Sequence, residues 1–123
     1  MDKKCYCGSE KRFKDCCEPY ILGTQKPQTA EALMRSRYSA YCIHQADYLI
    51  ATTHPKTRKR HNKKEILDWA VQNHWLKLEV IKATENKVEF KAFYLDQSTQ
   101  AHCHHEHSTF KKEGEQWYYV EGY

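Results

Sequence analysis

The chain has 123 residues, 40% hydrophobic and 29% charged, with a formal net charge of +4. That length supports one hydrophobic core and a small appendage rather than two full domains. No run approaches the roughly 20 apolar residues of a membrane span, and the start Met-Asp-Lys-Lys-Cys lacks the apolar stretch of a secretory leader, so a cytoplasmic protein without a membrane partner is expected.

Cys5-Tyr6-Cys7 and Cys16-Cys17 open the chain with four thiols in thirteen residues. Two close pairs can bring four thiolates to about 2.3 Å from one tetrahedral Zn²⁺. A reducing compartment favours metal over disulfides, and Cys16 joined to Cys17 would make a strained bridge. Cys5, Cys7, Cys16 and Cys17 are therefore expected to hold one structural Zn²⁺. It would staple residues 1–24, which have too few apolar side chains to order unaided. A closed four-cysteine site keeps no open coordination position, so this ion should not activate water.

Four thiolates around one Zn²⁺ are together anionic. Lys3, Lys4, Lys11, Arg12 and Lys14 have two readings: they neutralise the centre, or they form a surface for an acidic partner. Cys42 and Cys103 are expected to be buried free thiols.

Gly23 to Gln28, with Pro27, reads as a linker. Thr29 then caps a helix from Ala30 to Ile43 with Leu33, Met34, Tyr38 and Tyr41 on one face. A short helix over 46–53 ends before His54-Pro55. The run Lys56, Arg58, Lys59, Arg60, Lys63, Lys64 is a solvated loop entering the next helix or, alternatively, a nucleic-acid contact. Asn62 followed by Glu65 resembles a capping box. It opens a helix with Ile66, Leu67, Ala70 and Val71 in a stripe.

The period then changes to two. Leu76, Leu78 and Val80 mark one strand and Val88, Phe90, Ala92 and Tyr94 the next, with a turn at Glu85-Asn86. A third strand runs over about 99–112, turns at Glu113-Gly114-Glu115 and returns as 116–121. Helices first and antiparallel strands afterwards make an α+β fold with helices on one sheet face.

Cys5-Tyr-Cys7-Gly8-Ser9 through Cys16-Cys17 resembles the SEC-C zinc motif, best known from the tail of the preprotein translocase ATPase SecA. There the last pair is usually Cys-His, so a Cys-Cys ending makes this centre more anionic. Ala32-Leu33-Met34-Arg35-Ser36-Arg37-Tyr38, Thr53-His54-Pro55, Trp75-Leu76, Val88-Glu89-Phe90, His104, Glu106, Ser108, Phe110 and Trp117-Tyr118-Tyr119 are similar to the bacterial YchJ-like family. The resemblance implies a SEC-C finger at 1–24 and, over 29–123, a nuclear transport factor 2-like domain, a curved antiparallel sheet wrapped by helices into a cone. Some members carry a second SEC-C motif, whereas this sequence holds one, so one Zn²⁺ is expected.

Cones of this kind often enclose pockets. On the third strand His102, His104, Glu106, Ser108 and Phe110 share a face, and Phe110 points it inward. Arg35, Arg37, Tyr38 and Tyr41 are expected to meet Glu106 from the first long helix, with Trp117 and Tyr119 completing a candidate pocket. Glu106 with an Arg or Tyr also reads as a buried pair that locks helix to sheet. No catalytic set is assigned; acid/base chemistry would use Glu106, His104 and Tyr38, and would need burial to raise the Glu106 pKa. His102, His104 and Glu106 could be taken for a metal triad, but alternate positions on one strand lie about 6.6 Å apart, too far for one ion without a bulge.

The leading functional expectation is a non-catalytic interaction or adaptor module. Its finger and basic surface would bind a protein or ribonucleoprotein partner, in translation or secretion by analogy with SecA. The alternative is a small-molecule-binding or acid/base cone centred on Glu106.

Overall fold

The computed structural model describes residues 3–123. Met1 and Asp2, part of the expected finger, lie outside the described residues. A bridge between Lys4 and Arg12 closes the cysteine hairpin, with the Cys5 N–H donating to the Lys11 carbonyl at 2.8 Å. A 3₁₀ turn, Phe13–Asp15, leads into the short helix α1, Glu18–Leu22. Gly23 ends α1 at φ 84°, a left-handed conformation that suits glycine.

Helix α2, Ala30–Cys42, begins where expected: the Thr29 hydroxyl accepts from the Ala32 N–H at 3.0 Å. Its long apolar face crosses the sheet, burying Leu33, Met34 and Tyr38. Helix α3, Ala46–Ala51, follows. The basic run is not all loop, because Pro55 starts a further turn, α4, Pro55–Arg58. Asn62 caps α5, Lys63–Gln72, by accepting from the Glu65 N–H at 3.1 Å. The stripe predicted on α5 is narrower than expected: Ala70 is buried and Val71 is exposed.

Four antiparallel strands, β1 (His74–Ala83), β2 (Lys87–Leu95), β3 (Ala101–Glu113) and β4 (Gln116–Gly122), pair in chain order. Val88, Ala92, Ser108, Phe110 and Trp117 are buried on the inner face against α2. On β1 the alternation fails twice, since the β2 register skips Leu76 and Ile81. Each bulge inserts a residue and reverses the phase, so Leu76 is half exposed while Trp75 and Leu78 turn inward. Cys103 falls on the outward phase of β3 and is exposed, contrary to expectation, and Cys42 is half-buried.

Finger and cone share one core: Cys5, Cys7 and Cys17 pack in the same cluster as Leu33, Met34, Tyr38, Phe110 and Trp117. The expected linker is strapped down as well, with Pro27 buried and the Trp117 indole N–H donating to the Gln28 carbonyl at 3.2 Å.

Candidate metal centre and cone pocket

The sulfurs of Cys5, Cys7, Cys16 and Cys17 all lie within 4.8 Å of one another. Cys7 Sγ and Cys16 Sγ are 3.6 Å apart, and Cys16 Sγ and Cys17 Sγ 3.9 Å. A tetrahedral ion at 2.3 Å from each sulfur requires sulfur–sulfur separations of about 3.8 Å; these two pairs meet that value and no other pair exceeds it by more than about 1 Å, so this donor set suits a four-thiolate metal. All four are free thiols.

The surroundings suit an anionic centre. Ser9 Oγ lies 3.1 Å from Cys16 Sγ and Ser39 Oγ lies 3.5 Å from Cys5 Sγ, so hydroxyls can donate to thiolates. Hydrogen bonds from Cys17 and Cys5 hold the Cys7 thiol far below its usual pKa. The same contacts push Cys17 far up, and burial pushes Cys16 to about 11. Four thiols this close cannot all ionise together unless a cation joins them.

The finger's cations are partly engaged: Lys4 Nζ pairs with Glu10 at 2.8 Å and Arg12 Nε with Asp15 at 2.6 Å. The later basic run is tied up too. The Arg58 guanidinium donates to the Thr53 and Ala51 carbonyls, Lys63 pairs with Asp47, and Lys64 with Asp68, while Lys56, Lys59 and Arg60 are exposed.

Inside the cone a cavity of about 260 Å³ opens between α2, α5 and the inner sheet face. Of the expected pocket residues, Arg37, Tyr38, Tyr41, Glu106, Ser108 and Tyr119 line it, and His104 joins them. Arg35 does not: one turn of α2 aims it at the finger, where its Nη1 donates to the Cys7 carbonyl at 2.7 Å and its Nε to Glu31 at 2.9 Å. Trp117 does not either, since it is buried against Gln28.

Polar groups gather at one end. Arg37 is buried, and its Nη1 donates to the Leu49 carbonyl at 2.8 Å and Thr52 Oγ1 at 2.7 Å. Its guanidinium stacks 4.4 Å above the Tyr119 ring. Glu106 Oε1 accepts from His104 Nε2 at 2.8 Å, and Glu106 Oε2 accepts from the Ser108 hydroxyl. Burial alone would raise the Glu106 pKa, but these two donors outweigh it and hold the carboxyl below its usual range. The condition set for acid/base catalysis is therefore reversed, because Glu106 is held ionised. Burial drives the Tyr38 phenol upward, away from ionisation.

The expected Glu106–Arg pair is indirect. Arg37 contributes to keeping Glu106 ionised, but no carboxylate of the described residues lies within 4.0 Å of its guanidinium nitrogens. Trp75 anchors an aromatic wall, with ring centroids 5.2 Å from Tyr94, 5.7 Å from Tyr41 and 6.0 Å from Trp69. Trp75, Trp69, Phe90 and Ala92 escape the sequence reading. Phe90 and Ala92 could have been found from the β2 alternation; Trp75 could not, because the Leu76 bulge sets its direction.

Residues 29–122 match the family described as "YchJ, middle NTF2-like domain". The chain belongs to the YchJ-like family. A UPF0225 protein from Serratia proteamaculans is 42% identical across 99% of this chain and 84% of its own length. One from Geobacter sulfurreducens is 39% identical across 100% of this chain and 80% of its own. Among solved structures, a SEC-C motif-containing protein from Rhodopseudomonas palustris superposes with a TM-score of 0.90 at 35% identity, covering 98% of both chains. A second such protein, from Psychrobacter arcticus, gives 0.82 at 31% identity, covering 97% of this chain and 81% of that one. Family membership thus establishes the cone fold, and the four-cysteine cluster is the metal-binding candidate that accompanies it.

Proposed function

We propose that the cone binds one small aromatic-bodied molecule and that the four-cysteine centre holds a structural Zn²⁺ that helps to shape it. The observation that carries this reading is the cavity itself: about 260 Å³, walled by Trp69, Trp75, Phe90 and Tyr41, and ending at Arg37, Glu106 and Ser108. Small-ligand sites have this form, mostly apolar with a few convergent polar groups. Arg37 offers only donors and ionised Glu106 only acceptors. The matching ligand edge carries an acceptor beside a donor, as in a carboxamide or a lactam-type heterocycle.

Benzamide is the minimal probe. In an NMR titration it should shift resonances of Trp75, Tyr119 and Glu106, with weaker binding by benzoate, which meets the Glu106 charge, and by toluene, which has no polar edge. Ala92→Phe fills the floor and should abolish the shifts in a folded protein. Shifts that survive Ala92→Phe, or no pocket response to any of the three at millimolar concentration, would overturn the reading.

A second reading, a cytoplasmic adaptor that docks through its finger, is supported by the exposure of Lys3, Lys4, Lys11 and Lys14. Salt-sensitive co-sedimentation with ribosomes, lost in Lys11→Glu/Lys14→Glu, would favour it, and co-sedimentation indifferent to salt and to those changes would count against it.

A further inference from the structure

We propose that the outward face of β2 and β3 carries a second divalent-metal site, built from Glu89, His105 and His107 and suited to Zn²⁺ or a neighbouring borderline ion. One donor atom from each of these residues lies within 4.8 Å of the other two. Glu89 Oε2 sits 2.7 Å from His105 Nε2 and 3.6 Å from His107 Nε2. Zinc bonds to imidazole nitrogen and carboxylate oxygen of about 2.0–2.2 Å place neighbouring donors about 3.3 Å apart in a tetrahedron. The two Glu89 separations lie on either side of that value and the two imidazole donors are within 4.8 Å of each other, so side-chain rotations admit the ion.

The geometry escapes the limit that spacing imposes on a single strand. His105 and His107 are alternate residues of β3 and face the same way, with ring centroids 5.2 Å apart. The third ligand comes from the next strand, where Glu89 is the direct register partner of His107. The inward histidines do not compete: His102 Nε2 is 2.7 Å from Asp96, and His104 is committed to Glu106. The His107 ring is held by a stack on Tyr123, centroids 5.2 Å apart and planes 12° from parallel.

Two imidazoles and a carboxylate form a nitrogen-rich set that favours Zn²⁺, Ni²⁺ or Cu²⁺ over Mg²⁺ or Ca²⁺. Three protein ligands leave a coordination position open, unlike the closed cysteine centre. Glu89 and His107 also line a surface cleft of about 310 Å³ with Lys82, Thr84, Lys87 and Tyr123. The two lysines make that cleft hospitable to an anionic group as the fourth ligand.

The test uses the full chain with its cysteine centre loaded with one equivalent of zinc. Calorimetric titration with further Zn²⁺ should reveal a second equivalent. His105→Ala and His107→Ala should each weaken it by at least about tenfold, and Glu89→Gln should weaken it too. His102→Ala and His104→Ala should leave it unchanged. All five changes fall on partly exposed side chains, and thermal unfolding checks that each variant folds. Side-chain NMR of the wild type should place the shifts on His105 and His107. No second equivalent up to 1 mM Zn²⁺ (roughly −4 kcal/mol of binding) overturns the proposal, as does a second equivalent that persists in His105→Ala/His107→Ala.

Discussion

The Arg35 guanidinium donates to the Cys7 carbonyl at 2.7 Å, joining the middle of α2 to the first cysteine pair. Arg37, two residues on, faces the cavity instead. One helix therefore presents one arginine to each candidate site.

Metal removal should be felt beyond the finger. Cys5, Cys7 and Cys17 belong to the cone's own core, so stripping the metal with a chelator should lower the melting temperature of the whole chain in one transition. Arg35→Met should lower stability by about 1.5–3 kcal/mol, the scale of a hydrogen bond from a charged group, and weaken metal retention. Calorimetry with and without chelator checks both; an unchanged cone transition in the stripped protein would refute the shared core.

Stability should depend on pH through His104 and Glu106. The bond to Glu106 raises the His104 pKa above its usual 6.5. That contribution is complete below pH 6.5 and is lost as the pH rises through the folded-state value. Glu106 lies below its usual 4.5, because bonds from His104 and Ser108 outweigh burial. Its contribution is present above pH 4.5 and is lost as the pH falls through the folded-state value. The pair is thus strongest between the two ordinary values. Glu106→Gln should lower the urea-unfolding free energy within that window and remove the pair's share of the decline on either side of it, and an identical pH profile in the variant would contradict the pairing.

Gly122 leaves room for Glu106. A Cβ there would lie 2.9 Å from Glu106 Cγ and closer still to its carboxyl group. Gly122→Ala should push the carboxylate off His104 and Ser108, at a cost of about 1–3 kcal/mol for overpacking. The His104 titration midpoint, followed by NMR, should return toward its ordinary value.

Thr29→Ala removes the side-chain acceptor at the start of α2 and should destabilise the fold by about 1 kcal/mol. Chemical denaturation measures it directly.

Much of this was legible in the residues. The Cys5-to-Cys17 spacing pointed to the cluster that the fold brings together, because its four sulfurs come from one short hairpin and the turn after it. Thr29 and Asn62 announced helix starts because a cap is a local hydrogen bond. The inward phase of Glu106, Ser108 and Phe110 followed from strict alternation along β3. Where alternation broke, foresight broke with it: the β1 bulges, set by pairing with β2, turned Trp75 in and Leu76 out. Arg35 was misplaced because its direction depends on where the finger docks, a contact between segments 28 residues apart.

Both outer strands of the sheet are interrupted. Bulges at Leu76 and Ile81 distort β1, and on β4 Tyr119 is already occupied, its N–H donating to the Thr52 carbonyl at 2.8 Å and its carbonyl accepting from the His54 N–H at 2.7 Å. An edge without a regular row of open amides and carbonyls is a poor template for a strand from another molecule. These irregularities stop the sheet from growing, so concentrated protein should resist fibrillar polymerisation, and any companion must be recognised through side chains rather than by extending the ladder.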